Sequence, residues 1–600
     1  MVYFFCCLLA VILVRWRCGV LFTELAEYFE RLEATSGRNI MIQILAELLQ
    51  KPGAEEIDKV VYLCQGRLVP FFEPLEIGVG ERLAEEAIAS AFAVPREEVR
   101  RVYDRRGDMG LAAAELAEER GARGTDGLSV LAVYERLDEI AHATGPGSVE
   151  RRISVLAELL KALDPRSAKY LVRIAVGTLR LGIGDPTILD GLSYAVAGDK
   201  SLRVPLEHAY NITSDLGLIA RTLREGGIWA VEELHIQVGR PIRPALAERL
   251  PDAETIVKKL GRVAAEPKYD GFRVQCHKDG NEVELFSRRL EDMTAMFPEI
   301  VEGVRTQVVA QTAILEGEAV AYNPASEEYY PFQETTKRRR KYNIEEKMAA
   351  LPLRLFVFDL LYVDGQDVMD RPYLFRRQLL KTTVGEGDTL ALAPEVIVED
   401  AHSLQAFFDD QVQKGLEGLV VKRLDSPYQA GARNFNWVKL KRSVAGQLRD
   451  TVDCVILGYV YGRGKRTTFG AGALLVGVYD QAADEFVTVT KIGTGLSDLE
   501  WQEIRARCDR IATETKPARV NSIIVPSVWV QPQVVIEVQA DEITRSPVHT
   551  CGKVGDEPGY ALRFPRLVSF RGADKRPEDA TTVTEIIEMY QQQSRMQVAP

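Results

Sequence analysis

A lysine in an apolar strand-like segment, Lys268, is the first residue whose position calls for a chemical explanation. The stretch EPKYDGFRVQ, from Glu266 to Gln275, is typical of a strand that enters an Asp-Gly turn. A lysine in such a strand is costly unless it is paired or used in chemistry. An amine attacks only when it is neutral, and burial together with neighbouring positive charge favours the neutral form. We therefore interpret Lys268 as a candidate nucleophile.

Residues that could serve such a nucleophile follow later in the chain. Lys439 and Lys441, in the segment WVKLK, alternate with a leucine and so point to one face of a strand. Such a pair can promote the neutral form of a nearby lysine and can neutralise a phosphate. Glu318 and Glu417 are acceptors suited to ribose hydroxyls or to Mg²⁺. Phe358 offers a ring on which a base can stack.

Six charged or aromatic motifs follow one another in the middle of the chain: KYDGFR, FSRRLEDMT, LEGEAV, FVFDLLYVDG, EGLVVKR and WVKLK. One such motif carries little information, but the whole set in this order within one domain is far more specific. The charges lie among Val, Leu and Phe, which argues against a purely solvated face. The set indicates one site for a phosphorylated nucleotide.

The composition limits the class of protein. The chain has 600 residues, of which 46% are apolar and 27% charged, as in ordinary soluble globular proteins. At roughly 150 residues per domain, this length suggests about three or four domains. The formal net charge is -12, so a nucleic-acid partner cannot be inferred from bulk charge. Two local basic runs, Lys337–Lys341 and Gly462–Arg466, are either solvated loops or contacts for backbone phosphates.

Cysteine and histidine are dispersed along the chain, with no CxxC pair and no HExxH spacing. This pattern argues against a zinc ribbon, a disulfide framework and a histidine-based metal site. It suits the reducing cytoplasm, which is the location that we predict.

Three regions of different periodicity follow the first 20 residues. From 21 to 235, apolar residues recur at helical spacing, which predicts an all-α domain. From 236 to 445, β-branched alternation is interleaved with helical pieces, which predicts an α+β domain. From 446 to 600, short alternating strands separated by Gly and Asp turns predict a small β-barrel of the OB type.

Residues 1–20 form an apolar extension that contains VYFFCCLLAVILV, followed by Arg15, Trp16 and Arg17. The run is shorter than the roughly 20 residues that span a bilayer, and it lacks the basic start and cleavage site of a signal peptide. We favour a mis-called start codon, with the functional chain beginning near Val20. A membrane anchor is the alternative.

Two segments of the helical region each allow two interpretations. LRLGIGDPTILD, residues 179–190, contains a turn that is either a plain helix corner or a set of backbone N–H groups for a phosphate. QGRLVPFF, from Gln65 to Phe72, has the Q-x-x-L-x-x-F-F spacing of a peptide that docks on a sliding clamp. Adjacent phenylalanines in a helical domain are more often part of the core, so the clamp interpretation is the minor one.

Taken together, these motifs resemble those of ATP-dependent DNA ligases of the archaeal type, which are related to the eukaryotic replicative ligases. The resemblance covers nearly the whole chain from Leu21. It implies a multidomain fold: an all-α DNA-binding domain at 21–235, an α+β nucleotidyltransferase (adenylation) domain at 236–445 and an OB-fold β-barrel at 446–600. It also favours a DNA-backbone contact for the loop at 179–190.

The resemblance implies the sealing of nicks in duplex DNA during replication, repair and recombination. A lysine attacks the α-phosphate of ATP and expels pyrophosphate, AMP passes to the 5′-phosphate of the nick, and the adjacent 3′-OH then attacks. These are in-line phosphoryl transfers, so Mg²⁺ and fixed cations should supply most of the stabilisation. The implied partners of this monomer are nicked double-stranded DNA and a sliding clamp, without stable membrane association.

The resemblance also implies roles for single residues. Lys268 becomes adenylylated, Glu266 contacts the adenine edge and Phe358 stacks on adenine. Arg273 and Arg288 hold the ribose and phosphate side of the nucleotide, Glu318 binds the ribose and a metal ion, and Glu417 binds a divalent metal. The phosphates are contacted by Arg433, Lys439 and Lys441. The leaving pyrophosphate is contacted by Arg563 and Arg566, in LRFPR.

Three rival functions are weighed against this one. RNA ligases and capping enzymes share the nucleotidyl transfer, but they usually lack a long helical domain. An NAD-dependent ligase would carry a four-cysteine zinc module, which this sequence does not contain. A non-catalytic DNA-binding scaffold is disfavoured because Lys268, Glu318 and the lysine pair of WVKLK are all present.

Overall fold

The computed structural model describes residues 19–596 with internal gaps at 123, 125–126, 180, 324–327, 331–334, 340–342, 386, 415, 442–450, 462–471, 494–495, 497 and 572–573. The chain separates into two compact units. The first consists of residues up to Tyr210 together with Asp215–Leu234, and the second of Asn211–Ser214 together with His235 onwards. Each unit has its own buried apolar core.

The first unit is built from α-helices, as the periodicity of its sequence predicts. The helix Phe22–Glu33 places its apolar residues on one face, and it buries Phe22 and Phe29 completely. Several helices begin after a side chain that caps them; Asp164, for example, accepts backbone N–H groups of the helix Pro165–Ala175. The helices are Phe22–Glu33, Arg38–Leu49, Ile57–Cys64, Glu81–Phe92, Arg96–Arg106, Met109–Glu119, Val130–His142, Ser148–Ala162, Pro165–Ala175, Asp185–Ala197, Arg203–Thr213 and Leu216–Glu232.

The segment Gln65–Phe72 belongs to the core of the helical unit. The side chains of Leu68 and Phe72 are 1% and 6% exposed, and the guanidinium carbon of Arg67 lies 4.0 Å from the ring centroid of Phe71. A peptide that docks on a clamp has to offer its apolar side chains to the partner. The structure therefore favours the core interpretation of this segment.

The described chain begins next to a buried carboxylate. The backbone N–H of Val20 donates to both carboxylate oxygens of Glu56, at distances of 3.1 and 3.0 Å. Burial raises the pKa of Glu56. The apolar run at 1–18 lies outside the described residues, and none of the described helices has the length and apolar character needed to cross a membrane.

Strands and helices alternate in the central part of the second unit. The helices are Ala253–Leu260, Pro298–Gln307, Ile344–Ala350, Tyr373–Thr383 and Ala401–Gln413. The strands are β1 Leu246–Arg249, β2 Val263–Lys268, β3 Phe272–Asp279, β4 Glu282–Ser287, β5 Thr312–Asn323, β6 Glu328–Tyr329, β7 Leu353–Val363, β8 Gln366–Asp367, β9 Leu390–Leu392, β10 Val396–Val398, β11 Gly418–Arg423 and β12 Arg433–Lys441.

These strands form two sheets. One has the order β1-β12-β11-β2-β10, and β1 runs parallel to β12. The other has the order β4-β3-β5-β7-β8, with β6 added to β5 and β9 to β7. The predicted hairpin is formed by β3 and β4, and Gly280 in its turn has a φ of 58°, a conformation that favours glycine. The α+β architecture predicted for this region is confirmed.

The C-terminal part of the second unit is rich in β-strands. Its helices are Asp498–Asp509 and Val583–Met596. Its strands are β13 Val452–Val460, β14 Ala473–Asp480, β15 Glu485–Ile492, β16 Ala512–Thr513, β17 Val520–Asn521, β18 Val528–Val530, β19 Val535–Gln539, β20 Glu542–Ser546, β21 Gly559–Arg563 and β22 Arg566–Phe570.

The main C-terminal sheet has the order β16-β18-β13-β14-β15-β17, and β19 joins β13 to β22. Strand β13 changes partner along its length, because Val452–Val455 pair with β19 whereas Gly458 and Tyr459 pair with β18. In the described residues the outer strands do not pair with each other, so the sheet stays open. A β-rich C-terminal region is confirmed, but the closed OB barrel predicted from the sequence is not.

Candidate active site

A cavity in the second unit collects the residues that the sequence motifs single out. Its lining comes from both central sheets and from the C-terminal β-rich region. All ten candidates predicted in the central region line it: Glu266, Lys268, Arg273, Arg288, Glu318, Phe358, Glu417, Arg433, Lys439 and Lys441. Motifs that are distant in the sequence therefore meet at one site.

Lys268 ends strand β2 and contacts the carboxylate of Glu417. Because β2 pairs with β11, the backbone N–H of Glu417 also donates to the carbonyl of Lys268, at 3.2 Å. The Nζ of Lys441 lies 3.9 Å from the same carboxylate. Burial alone would raise the pKa of Glu417, but Lys268 and Lys441 outweigh it and lower the pKa. The Lys268 side chain stays 23% exposed, so a substrate phosphate can reach it.

Two further carboxyl groups near Lys268 retain their protons to unusually high pH. Burial, followed by the charge of Glu417, raises the pKa of Asp270 to about 6. Burial raises the pKa of Glu318 to about 7, against the opposing effect of Lys268 and Arg273. Both groups would ionise more readily if a further cation entered the site.

The turn after Lys268 requires a glycine for a packing reason. A Cβ atom added at Gly271 would lie 2.4 Å from the carbonyl oxygen of Ala319 on β5. That distance is shorter than any ordinary van der Waals contact. Gly271 therefore lets the turn lie directly against the neighbouring sheet.

Glu266 lies beside the aromatic part of the cavity. Its side chain is buried, and its carboxylate is 2.8 Å from the Nζ of Lys422. The same Nζ is 4.8 Å from the ring centroid of Phe358 and 4.4 Å from that of Trp437. The two rings meet edge to face, with centroids 5.8 Å apart. A buried acceptor next to these rings suits a flat base that carries an amino group.

Arg273 is held by the protein itself. Its guanidinium donates to the carbonyl of Ala245 at 2.6 Å and to the carboxylate of Glu316 at 2.7 Å. Its central carbon is 5.5 Å from the ring centroid of Phe358 and 5.3 Å from that of Trp437. Burial opposes its charge, but Glu316 outweighs burial and raises its pKa. Arg273 thus stabilises the aromatic wall as well as lining the cavity.

The cations Arg433 and Lys439 of β12 are occupied by a carboxylate from the C-terminal helix. Glu585 lies 2.6 Å from Nη1 of Arg433 and 2.8 Å from Nζ of Lys439, and it is buried. Burial, together with Arg433 and Lys441, lowers the pKa of Lys439 to about 8. The carboxylate of Glu585 occupies positions that phosphate oxygens could take.

Arg563 and Arg566, which were predicted to reach the nucleotide, lie elsewhere. Arg563 ends β21 and donates to Oγ1 of Thr544 at 3.1 Å, whereas Arg566 begins β22 and pairs with Asp541 at 2.6 Å. Both are exposed, and neither lines the cavity. In this arrangement of the C-terminal region, the pair is not in position to act on a nucleotide.

The cations that the C-terminal region does bring to the cavity are Arg571 and Lys575. Arg571 donates to Asp574 at 2.8 Å, and Lys575 pairs with Asp453. Sequence reasoning missed both, although the dense charge of RGADK directly after a strand was a usable signal. It also missed Lys422, Trp437 and Glu585, of which the first two stand inside the motifs EGLVVKR and WVKLK.

The donor set near Lys268 fits Mg²⁺ without forming a closed metal cage. Among the described residues there is no group of three or more His, Cys, Asp or Glu side chains that could hold a metal ion by itself. Mg²⁺ usually needs only one or two carboxylates, because substrate phosphates and water complete its shell. Glu417 and Asp270, which share a hydrogen bond, can supply them.

Known proteins and family models match this chain over nearly its full length. Family models match residues 21–193 (DNA ligase N terminus), 244–441 (ATP dependent DNA ligase domain) and 467–575 (ATP dependent DNA ligase C terminal region). A probable DNA ligase of Dictyoglomus turgidum is 52% identical over 579 residues, which cover 96% of this chain and 99% of that protein. The chain belongs to the ATP-dependent DNA ligase family.

Other relatives match this ligase over an equally large part of the chain. A probable DNA ligase of Aquifex aeolicus is 44% identical over 580 residues, and a DNA ligase of Sulfolobus acidocaldarius is 41% identical over 592 residues. Each match covers 96% of this chain and 99% of the relative. The match at 244–441 includes every cavity residue predicted from the sequence, and Glu585 lies beyond the last matched segment.

The first basic run of the ligase, Lys337–Lys341, is only partly a surface feature in its described residues. Lys337 is exposed, but the side chain of Arg338 is buried and pairs with Glu299 at 2.7 Å. Arg338 therefore serves the fold. The last two residues of this run and the whole of Gly462–Arg466 lie outside the described residues.

Proposed function

We propose that Lys268 is the nucleophile of this ATP-dependent DNA ligase and carries AMP from ATP to the nick. The observation that carries the proposal is its position: it ends β2 in a cavity that also holds Lys439, Lys441 and an aromatic wall. In the first step the neutral Nζ forms a bond to the α-phosphorus and releases one proton to water, while the bond from the α-phosphorus to pyrophosphate breaks and pyrophosphate leaves with the electron pair. AMP then passes to the 5′-phosphate of the nick, and the 3′-OH displaces it.

The nucleotide is bound by groups of different chemistry at different parts of the cavity. We assign the adenine amino group to Glu266 and the face of the base to Phe358, because the buried carboxylate and the ring are neighbours. Glu318 accepts from the ribose hydroxyls. Arg288 meets the phosphate side, and Arg273 mainly fixes the aromatic wall, since its guanidinium is bonded to Ala245 and Glu316.

The phosphates are assigned to Arg433, Lys439 and Lys441. Glu585 must leave the first two before phosphate oxygens take its place. Arg571 and Lys575 replace the predicted Arg563 and Arg566 as the cations from the C-terminal region, because they line the cavity. Fixed cations of this kind stabilise the charge that develops on a leaving pyrophosphate.

Glu417 and Asp270 are the residues that would hold Mg²⁺, with Glu318 next to them. When bound, Mg²⁺ supplies charge neutralisation for the phosphates. Burial and the charge of Glu417 raise the pKa of Asp270 to about 6, and a bound cation would lower it again.

The substrate that we propose is nicked double-stranded DNA, bound by a cytoplasmic monomer. The helical first unit supports this choice over an RNA ligase or a capping enzyme. An OB-type architecture for residues 446–600 and contact of residues 179–190 with the DNA backbone belong to the same proposal. A sliding clamp is a candidate partner, without an assigned surface.

Incubation with α-labelled ATP and Mg²⁺ tests the assignment of Lys268. The wild-type ligase should acquire a covalent AMP label and seal nicked DNA. Lys268→Ala should lose both at any ATP concentration, because no other amine can take its place on β2. Lys414→Ala, which removes an exposed lysine paired with Asp410, is the matched control and should keep both activities. A label retained on Lys268→Ala would show that another residue is the nucleophile.

Two substrates separate the rival functions. Sealing of nicked duplex DNA, with no sealing of the same nick in RNA, supports a DNA ligase. Label transfer from GTP with no sealing of either nick would instead indicate a capping enzyme. A labelled protein is not expected for a non-catalytic scaffold.

A further inference from the structure

Behind Glu266, the hydroxyl of Tyr373 lies between two carboxylates. Its Oη is 2.6 Å from Oε1 of Glu266 and 2.7 Å from Oε2 of Glu395. Tyr373 is fully buried and does not line the cavity. Any influence of this hydroxyl on a bound nucleotide must therefore pass through Glu266, which does line the cavity.

The proton count at this hydroxyl allows two states. A phenol has one proton, and both neighbouring carboxylates are acceptors when they are ionised. Both O···O contacts are short, as expected for an O–H group that donates to a carboxylate, but one hydroxyl cannot donate to both at once. The hydroxyl of Tyr373 can thus donate to Glu266 or turn to Glu395.

Three cations surround the two carboxylates that Tyr373 contacts. The Nζ of Lys422 is 2.8 Å from Oε2 of Glu266, on the carboxylate oxygen that Tyr373 does not touch. Arg377 lies 3.7 Å from Glu266 and 3.6 Å from Glu395, and Lys381 is 3.1 Å from Glu395. Lys422 and Tyr373 therefore hold opposite oxygens of Glu266 and fix the plane of its carboxylate.

We propose that Tyr373 is a positioning residue for base selection, which holds Glu266 so that it accepts a hydrogen bond from the amino group of a 6-aminopurine. The inference rests on the proposed function, in which Glu266 faces adenine. Each oxygen of a carboxylate can accept two hydrogen bonds, so Oε1 can accept from the amino group while the hydroxyl of Tyr373 still holds it from behind. A 6-oxopurine would place a carbonyl against Glu266 and leave two acceptors facing each other.

The test compares ATP with purine riboside triphosphate, which is ATP without the amino group. Single-turnover formation of the protein–nucleotide adduct gives kcat/KM for each. Tyr373→Phe should lose roughly tenfold with ATP but less than about twofold with the analogue, since only ATP uses the hydrogen bond that Glu266 accepts. The preference for ATP then falls by nearly the same factor.

Tyr459→Phe is the matched control for the loss of a buried hydroxyl. Tyr459 is buried in the C-terminal region, and its hydroxyl donates to Asp509 at 2.6 Å. This variant should keep the wild-type preference for ATP over the analogue. Equal losses with both triphosphates in Tyr373→Phe would overturn the inference, because they would indicate a structural role alone. A wild-type ligase that forms no adduct with either triphosphate would overturn the proposed function instead.

A second variant keeps the inference testable if Tyr373→Phe does not fold, as judged by circular dichroism. Glu395→Gln retains the phenol and removes the charged acceptor that competes for its proton. The amide can donate to the phenol oxygen, which leaves the hydroxyl proton on Glu266. The preference for ATP should stay within about twofold of the wild-type value or rise. A loss of that preference in Glu395→Gln would overturn the inference.

Discussion

At the scale of single residues, the charge balance around Lys268 depends on carboxyl groups that ionise late. Burial raises the pKa of Asp270 to about 6 and that of Glu318 to about 7, whereas free Asp and Glu side chains titrate near 4. A group whose pKa is raised by folding stabilises the protein below its unfolded pKa, and this contribution is lost as the pH rises through the folded pKa. In the ligand-free ligase, the stability cost at Glu318 should therefore accumulate between about pH 4 and pH 7 and stay constant above that.

We predict that Glu318→Gln stabilises the ligand-free ligase increasingly as the pH rises from about 4 to about 7, and by a constant amount above that. Below about pH 4 the variant and the wild type should melt together, because Glu318 is then protonated in both the folded and the unfolded chain. The measurement is the difference in Tm between the two proteins at several pH values and constant ionic strength. The buried His277, whose pKa is lowered to about 3 by burial, changes the stability with pH in the opposite direction. This effect is the same in both proteins, so it cancels when their Tm values are subtracted.

Glu302→Gln, at an exposed glutamate of the same unit, is the control for this series and should follow the wild type at every pH. A Tm difference between Glu318→Gln and wild type that does not change with pH would contradict the raised pKa of Glu318.

At the scale of elements, the C-terminal helix Val583–Met596 places a carboxylate on two of the cations that we assign to the phosphates of the nucleotide. Glu585 holds both Arg433 and Lys439. We predict that Glu585→Gln lowers the KM for ATP in self-adenylylation severalfold, on the order of 1 kcal/mol, because a neutral amide is a weaker competitor for the two cations. Glutamine can keep the contact with the backbone N–H of Thr582, so the start of the helix is preserved.

Glu588→Gln, one turn further along the helix, is the matched control. Burial, followed by the charge of Glu248, raises the pKa of Glu588. This variant should leave the KM for ATP unchanged. An unchanged or higher KM in Glu585→Gln would show that the helix does not compete with the nucleotide.

The segment after strand β22 and the strand itself should contribute differently to self-adenylylation. We predict that the double replacement of Arg571 and Lys575 by alanine slows ATP-dependent self-adenylylation by a factor of roughly 10² to 10³, because both cations line the cavity. Sealing of a nick that already carries 5′-AMP should fall much less, since no pyrophosphate leaves in that step. The measurement is label transfer from ATP beside single-turnover sealing of the pre-adenylylated nick.

The double replacement of Arg563 and Arg566 by alanine is the comparison, because these arginines are exposed on β21 and β22 outside the cavity. This variant should keep the rate of self-adenylylation within about threefold of the wild-type rate, because exposed ion pairs contribute little free energy. A steep loss of self-adenylylation in this variant alone would restore the original assignment of the pyrophosphate role.

At the scale of the whole molecule, the family match begins at residue 21. We predict that a ligase without residues 1–19 seals nicks and melts like the full chain. Its new α-ammonium group would lie next to the buried carboxylate of Glu56, which now accepts the backbone N–H of Val20. Sealing rates and Tm values of the two chains check this. A truncated chain that is folded but cannot seal would contradict the interpretation of a mis-called start.

The sequence predicted which residues of the central region gather in one cavity, because its motifs lie on or beside strands. In a strand, side chains two residues apart share a face, so Lys439 and Lys441 had to point together. Lys268 and Glu318 are costly among apolar neighbours unless they are used, which made them visible without a structure. The resemblance to DNA ligases then assigned a role to each position.

Prediction was weaker where a residue's role depends on a neighbour far away in the chain. Leu68 and Phe72 have the spacing of a docking peptide, but the packing of the helical unit buries them. Arg338 belongs to a basic run, yet it is paired with Glu299 inside the protein. Whether such a side chain is exposed is a property of the assembled unit and has no local signature.

The sequence by itself determined the family, the order of helical, α+β and β-rich regions and the set of polar groups that line the cavity, because these follow from periodicity and from motifs at strand ends. Only the tertiary structure showed that Tyr373 and Lys422 hold Glu266, that Glu585 occupies Arg433 and Lys439, and that the C-terminal sheet stays open in the described residues. The physical reason is distance along the chain. Hydrogen bonds and ion pairs act over a few ångströms in space, and partners more than a hundred residues apart meet only after the chain has folded.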